Sequence, residues 1–234
     1  SFIYDSYACR FDKGTHTAFR RVEHFLRSIR SEFAGCIPYC LKCDISKYFK
    51  NVNQDILLDI LSKKIGDEEV FDLARKIVRS FRDGIPIGNL TSQLFANIYL
   101  NELDHFVKRE LKERYYIRYM DDFLILGTDK RHLAVQKERI REFLRERLKL
   151  ELHPRKCEIF PIDKGLDFLG YVLINAKRRL RKSTVKRFIK REKRCTKILK
   201  MGKMTEEQIE ASRKSWLGYA KFADSWGLRR KLGI

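Results

Sequence analysis

Between Gly14 and Phe33 the apolar residues Phe19, Val22, Phe25, Leu26 and Ile29 recur every three or four positions, which predicts an amphipathic helix. "PYCLKCDI" (Pro38 to Ile45) reads as a strand. "NQDILLDILSKKIG" reads as a helix with Asn53 as N-cap, Asp55 in the first turn and Gly66 as its stop, and a further helix is predicted over Glu68 to Phe81. "GIPIGNLTSQLFANIYLNELDHFVKREL" is a tight Gly/Pro/Asn loop running into a long helix, whose apolar face is assigned to Leu94, Ile98, Leu103, Phe106, Val107 and Leu111. "YYIRYMDDFLILG" (Tyr115 to Gly127) reads as two short buried strands folded into a hairpin, with two aspartates at the tip. A helix follows around His132 to Leu148, and "KCEIF" and "LDFLGYVLI" read as strands joined through a turn at Asp163-Lys164-Gly165.

Near Asn175 the pattern changes. Ala176 to Lys203 holds fourteen Lys/Arg and a single acidic residue, Glu192, yet Val185, Phe188, Ile189, Ile198 and Leu199 keep roughly helical spacing. The stretch therefore reads as a basic helical region with one packed face, followed by a last helix, Thr205 to Phe222, carrying Trp216 and Tyr219. Strands and helices alternate without a glycine-rich phosphate fingerprint, so the fold class is α+β with an antiparallel sheet, followed by a small helical domain from about residue 176.

Charge narrows the partner. The 234 residues carry 51 Lys+Arg against 31 Asp+Glu, a net charge of +20, which favours a polyanion, nucleic acid above all. An anionic membrane is the other partner such charge suits, but no apolar run long enough to span a bilayer and no signal-peptide pattern occurs, so a cytoplasmic, membrane-free protein is expected. Six cysteines, Cys9, Cys36, Cys40, Cys43, Cys157 and Cys195, lack the paired spacing and nearby His of a zinc site. They are read as reduced, small core residues, without metal and without disulfides.

Against this basic background the acidic tip stands out. Asp is depleted in strands. Two carboxylates about 4 Å apart repel by roughly 4 kcal/mol at an effective dielectric near 20. If the strand ending in Asp44 neighbours the hairpin carrying Asp121 and Asp122, three carboxylates converge at one sheet edge. Such a set suits two divalent cations that assist an in-line phosphoryl transfer. Taken singly, Asp121 and Asp122 are equally a polar turn, and Asp44 reads more readily as a helix cap or turn residue than as a ligand.

In order along the chain, "CDISKYFKN", "GIPIGNLTSQ", "YMDD", "LHPRKCEIF" and "FLGY" resemble the conserved blocks of reverse transcriptases, over nearly the whole sequence. "IGNLTSQ" (Ile87 to Gln93) resembles the subgroup of diversity-generating retroelements, in which Ser-Gln replaces the Ser-Pro of group II intron and retron enzymes and the Gln before the first Gly is missing; here that position is Ile87. "SYACRFDKGTHTA" and "SWLGYAKFADS" are similar to the same subgroup. The resemblance implies a right-hand polymerase: partial fingers over 1–35, a palm over 36–175 with a fingers-side insertion around 66–90, and a basic helical thumb over 176–234.

It also implies roles. Asp44 and Asp121 would bind two Mg²⁺ (Mn²⁺ as substitute) with Asp122 assisting, and Lys156 would protonate the leaving pyrophosphate. Phe49 would lie under the incoming sugar and exclude a 2′-hydroxyl, while Gly88, Asn89, Thr91, Ser92, Gln93 and Arg10 would approach the nucleotide. Phe168, Leu169, Gly170 and Tyr171 would grip the primer. Arg187, Lys190 and Arg194 would follow the duplex backbone. Phe49 as a core aromatic, Thr91 and Ser92 as helix caps, Lys156 as a surface lysine, "FLGY" as a buried strand and the basic run as a solvated helix are the plain alternatives. Expected partners are an RNA template, a DNA or RNA primer, dNTPs and a basic accessory protein, with copying error-prone at template adenines. A retron, group II intron or defence-associated enzyme is the near alternative; a non-catalytic RNA-binding fragment or a nucleotide cyclase is the distant one. Family members carry an upstream block of the fingers whose Lys and Arg clamp the triphosphate. Because Ser1 opens in mid-fingers, the expectation is a truncated chain, folded but poor or inactive alone, with Arg10 and Lys13 as its remaining fingers cations and an apolar surface left exposed.

Overall fold

In the computed structural model, which describes residues 1–233, the apolar run Phe123 to Leu126 becomes the centre of an antiparallel sheet. The chain forms two compact units, Ser1–Pro161 and one beginning at Ile162. The first contains α1 (Thr15–Glu32), β1 (Tyr39–Cys43), α2 (Tyr48–Asn51), α3 (Gln54–Ser62), α4 (Glu68–Arg79), α5 (Leu90–His105), β2 (Tyr116–Tyr119), β3 (Asp122–Gly127), α6 (Lys130–Leu148) and β4 (Glu158–Pro161). A π-helical turn, Phe106–Glu110, extends α5.

Its sheet runs β2-β3-β1-β4 with every neighbour antiparallel. Leu41, Cys43, Phe123 and Ile125 join a core with residues of α3, α5 and α6, such as Leu57, Leu100 and Ile140. On the alternate positions Cys40, Leu124 and Leu126 are buried as well, and α1 packs along β2 and β3. A strand buried on both faces reads as an unbroken apolar run, which is the pattern of Phe123 to Leu126. Helix starts follow ordinary capping: Asn53 accepts from the Ile56 N–H at 3.0 Å and Asp67 from the Val70 N–H at 2.9 Å. The helix after Asn53 ends at Ser62, before the Gly66 stop.

Three expectations are corrected here. Leu94, expected on the buried face of α5, is 49% exposed, and Phe95 is buried instead. Because α5 buries residues on most of its circumference, its apolar spacing does not single out a face. The cysteines are not all reduced: a disulfide joins Cys43 to Cys157. The cause is strand register, since Lys42 pairs with Glu158 and so sets the next β1 residue opposite the one preceding β4. "KCEIF" and "LDFLGYVLI" do not form one hairpin: β4 pairs with β1, and "LDFLGYVLI" is itself two strands.

The second unit opens with those strands, β5 (Leu166–Phe168) and β6 (Tyr171–Ile174), which pair with β7 (Lys177–Leu180) in a three-stranded sheet. Both hairpins have two-residue turns with positive φ, Leu169–Gly170 at 50° and 88° and Asn175–Ala176 at 49° and 57°, as type I′ turns require. The basic run therefore begins as a strand and turns helical only at α7 (Lys182–Lys200), with α8 (Glu206–Ala220) and α9 (Trp226–Leu232) after it. α7 buries Phe188 and Cys195, and the Phe188 ring stacks on Trp216 of α8 at 3.9 Å between centroids. Thr205 and Gln208 close a capping box at the start of α8. Among the described residues no helix is long and apolar enough to cross a membrane.

The loop before α5 is fixed by backbone contact. Gly84 has φ +64°, and a Cβ there would lie 2.2 Å from the Phe49 carbonyl oxygen and 2.5 Å from that of Lys50. The Ile85 N–H donates to the same Phe49 carbonyl at 2.8 Å. Gly84→Ala is therefore expected to lower stability by about 2–3 kcal/mol, from the φ penalty and the displaced loop together. Urea denaturation followed by circular dichroism checks this; a midpoint equal to the parent's contradicts the tight approach.

Candidate active site

β1 ends where the acidic hairpin begins. Cys43 pairs with Phe123, and this register carries the next residue, Asp44, beside Asp122. In the hairpin Tyr119 faces Asp122, so Met120 and Asp121 form the turn, with Met120 in the left-handed region at φ 56°. Beyond β1 the chain continues against residues 151–153: Ser46 N–H donates to the Glu151 carbonyl at 2.8 Å, Ile45 bridges to Leu152, and His153 N–H donates to the Asp44 carbonyl at 2.8 Å. The turn after His153 then delivers Lys156, whose Nζ donates to Asp44 Oδ2 at 2.9 Å. Four sequence-predicted residues, Asp44, Asp121, Asp122 and Lys156, are thereby brought together from segments up to 112 residues apart.

Burial and the neighbouring charges both shift Asp121 and Asp122. Burial raises the Asp121 carboxyl above its usual range, and the neighbouring Asp44 raises it further. Asp122 is pushed up to about 6, again chiefly by burial, with Asp44 and Asp121 adding to the shift against the pull of Lys42. Lys156 is held protonated by its hydrogen bond to Asp44. An all-oxygen donor set that repels itself fits a hard divalent cation such as Mg²⁺ or Mn²⁺. Among the described residues no three His, Cys, Asp or Glu side chains stand already arranged as a cage, so the carboxylates would have to close on such an ion.

Other predicted residues are placed less uniformly. Phe49, half-buried on α2, packs edge-to-face on Tyr48 with centroids 5.5 Å apart. Tyr48 is buried and donates to the Ala96 carbonyl at 2.5 Å. Gly88 and Asn89 are exposed, and a Cβ on Gly88 would meet nothing within 4 Å. Thr91 is exposed, whereas Ser92 is buried at 1% exposure on the inner side of α5. Gln93 accepts from the Cys9 thiol at 3.1 Å. Arg10 is engaged by the carbonyls of Ile3 and Ser6 at 2.7 and 2.8 Å, and Lys13 by that of Tyr4 at 3.0 Å. Phe168, Leu169, Gly170 and Tyr171 lie in the second unit; Phe168 and Tyr171 are buried, and Leu169 and Gly170 form the turn. Arg187, Lys190 and Arg194 are exposed along α7 at spacings of three, four and seven, one helical face.

Sequence reasoning missed what stands behind the hairpin. Arg118 and Asp104 form a fully buried ion pair at 2.6 Å, and Tyr116 donates to Asp104 at 2.7 Å. The signal was present: Asn97 and Asp104 are polar residues seven apart on an apolar helix, and Arg118 interrupts an apolar strand.

In metal-free buffer Asp122 binds its proton more tightly folded than unfolded, so its charge destabilises the fold as pH rises from about 4 through 6. Asp122→Asn is expected to match the parent near pH 4 and to exceed it by of order 2 kcal/mol at pH 7, with added Mn²⁺ closing the gap. Melting curves across that pH range decide it; a constant offset contradicts the shift.

Residues 2–173 match the family described as reverse transcriptase (RNA-dependent DNA polymerase). Protein YkfC of Escherichia coli is 27% identical over 220 residues, covering 74% of this chain and 58% of that protein. The group II intron-encoded protein LtrA of Lactococcus lactis is 26% identical over 262 residues, covering 81% and 42% respectively. The chain thus spans about half the length of these curated relatives. Among solved structures, telomerase from Candida albicans, in complex with a fragment of telomeric RNA, superimposes with a TM-score of 0.61 at 13% identity, covering 76% of this chain and 35% of that one. With a match that takes in both acidic blocks and most of its length, the chain belongs to the reverse transcriptase family.

Proposed function

We propose that the protein is an RNA-directed DNA polymerase in which Asp44, Asp121 and Asp122 hold divalent ions and a dNTP is joined to a primer 3′-hydroxyl. The observation that carries this reading is the meeting of the three carboxylates with Lys156 at the end of β1 and β3, in a family whose members copy RNA. Ions bound there would supply charge for the attacking 3′-oxygen and the α-phosphate. Lys156, exposed and protonated, is suited to give a proton to the leaving pyrophosphate. Phe49, wedged against Tyr48 and held by the Gly84 loop, is suited to pack under the sugar and leave no room for a 2′-hydroxyl. The basic face of α7 is suited to phosphate backbone, where each neutralised phosphate adds to affinity and to its salt dependence.

The finer reading is a diversity-generating retroelement enzyme, supported by Ile87 and by Gln93 after Ser92. The LtrA match favours a group II intron enzyme as the second reading. Sequencing the DNA copied from a defined RNA separates them: errors concentrated at template adenines support the first, and evenly distributed errors the second.

The direct test is extension of a DNA primer on an RNA template with Mg²⁺, using the protein at its natural length and EDTA as control. Asp121→Ala is expected to reduce extension by about 10³-fold or more while the fold persists. Activity near the parent's in a folded Asp121→Ala protein would refute the assignment. Phe49→Val is expected to raise the ratio of ribonucleotide to deoxynucleotide incorporation by about 10–200-fold, the range for relieving one small steric exclusion. An unchanged ratio would make Phe49 a core residue only.

A further inference from the structure

Arg118 is fully buried, and all five of its N–H donors are used. Nε donates to Asp104 Oδ1 at 2.7 Å and Nη2 to Asp104 Oδ2 at 2.6 Å. Nη2 also donates to Ser6 Oγ at 3.2 Å, and Nη1 to Asn97 Oδ1 at 3.1 Å. The remaining bond goes from Nη1 to the Met120 carbonyl at 2.9 Å. That carbonyl belongs to the peptide that leads directly into Asp121.

Met120 stands at φ 56°. A residue with a side chain pays roughly 1–2 kcal/mol for that conformation, so the turn needs a partner to hold it. Arg118 is that partner, and it is itself immobilised from three directions: by Asp104 and Asn97 on α5, by Ser6, and by its own place in β2. The N-terminal segment adds to the clamp. Arg118 N–H donates to the Asp5 carbonyl at 2.9 Å, Tyr7 N–H donates to the Arg118 carbonyl at 3.0 Å, and Asn97 Nδ2 donates to the Ala8 carbonyl at 2.8 Å. A guanidinium meets these acceptors with a rigid planar fork; an ammonium carries only three donors on a single nitrogen.

We propose that Arg118 is a positioning residue for the catalytic turn: by fixing the Met120 carbonyl it aims Asp121 and Asp122 at the cations they bind. The inference rests on the metal-binding role proposed above for those two carboxylates. Its role is geometric, since its charge is balanced by Asp104. Groups that orient metal ligands from behind typically contribute about 10–100-fold to metal affinity.

The test is Mn²⁺ titration of the melting temperature of the natural-length protein, a readout that needs no turnover. The parent is expected to show a saturable upward shift that Asp121→Ala lacks; absence of any shift in the parent would refute the metal site itself, irrespective of Arg118. Arg118→Lys keeps a cation opposite Asp104, so it isolates the lost fork. It is expected to need about 10–100-fold more Mn²⁺ for half the shift, and to show a matching rise in the Mg²⁺ required for primer extension. Should Arg118→Lys not fold, the combined variant Arg118→Met, Asp104→Leu, Tyr116→Phe replaces the buried ion pair and its phenol by apolar groups of similar size, an exchange that is often near neutral for stability. It is expected to show the same weakening. Half-saturation equal to the parent's in either variant, whatever its melting temperature, overturns the proposal and leaves Arg118 a structural residue.

Discussion

A buried guanidinium–carboxylate pair governs how this molecule is put together. Arg118 and Asp104 are both completely removed from water. Desolvating two such ions costs several kcal/mol each, and their attraction repays it only when every remaining donor and acceptor finds a partner. Here Arg118 is saturated, and Asp104 also receives the Tyr116 hydroxyl. The arrangement admits little alternative. A one-residue slip of β2 would turn Arg118 to the other face of the sheet and strand the Asp104 charge, so the pair fixes hairpin register against α5. The same pair draws the N-terminal segment alongside β2, through the parallel bridge of Ser6 with Arg118. Helix, hairpin and N-terminal segment are thereby made interdependent.

What this frame supports is a second, opposite arrangement of charge. Behind the hairpin, cation and anion cancel; at its tip, carboxylates gather with too little positive charge to balance them. Asp121 and Asp122 both sit above the ordinary carboxylate range, chiefly because they are buried and further because Asp44 lies beside them, and the hydrogen bond of Lys156 goes to Asp44. Elsewhere the chain is strongly basic, with α7 presenting Arg187, Lys190 and Arg194 to solvent. An acidic point in a basic protein would weaken nucleic-acid binding unless cations filled it. With cations present such a point would favour phosphate chemistry, which is consistent with membership of the reverse transcriptase family.

Much of this was legible in the sequence because it is local. Asn53 caps its helix, the apolar spacing of α1 falls on its buried face, and the hairpin around Met120 and Asp121 is a short-range pattern. Asp44 was legible by a different route, through the motif rather than its surroundings. The missed features depend on pairing over distance. The Cys43–Cys157 disulfide follows from β1–β4 register across 114 residues, which no spacing rule reports. β7 hid inside a basic run because Lys177, Arg178 and Arg179 lack strand-like alternation, although Asn175 marks its turn. α5 is buried almost all round, so periodicity misassigned Leu94 and gave no warning that Ser92 faces inward. Arg118 and Asp104 were conspicuous as polar residues in apolar elements, but only the fold shows that they meet.

The central claim is that the carboxylates at the end of β1 and β3 are a divalent-cation site. Its most direct test is anomalous diffraction from crystals of the protein grown with Mn²⁺ and an RNA–DNA template–primer. The expected result is manganese peaks at roughly 2.0–2.2 Å from carboxylate oxygens of Asp44 and Asp121, with Asp122 adjoining and Lys156 displaced from Asp44 Oδ2. Manganese bound elsewhere, or Asp44 still paired to Lys156 with no ion between the carboxylates at saturating Mn²⁺, would contradict it.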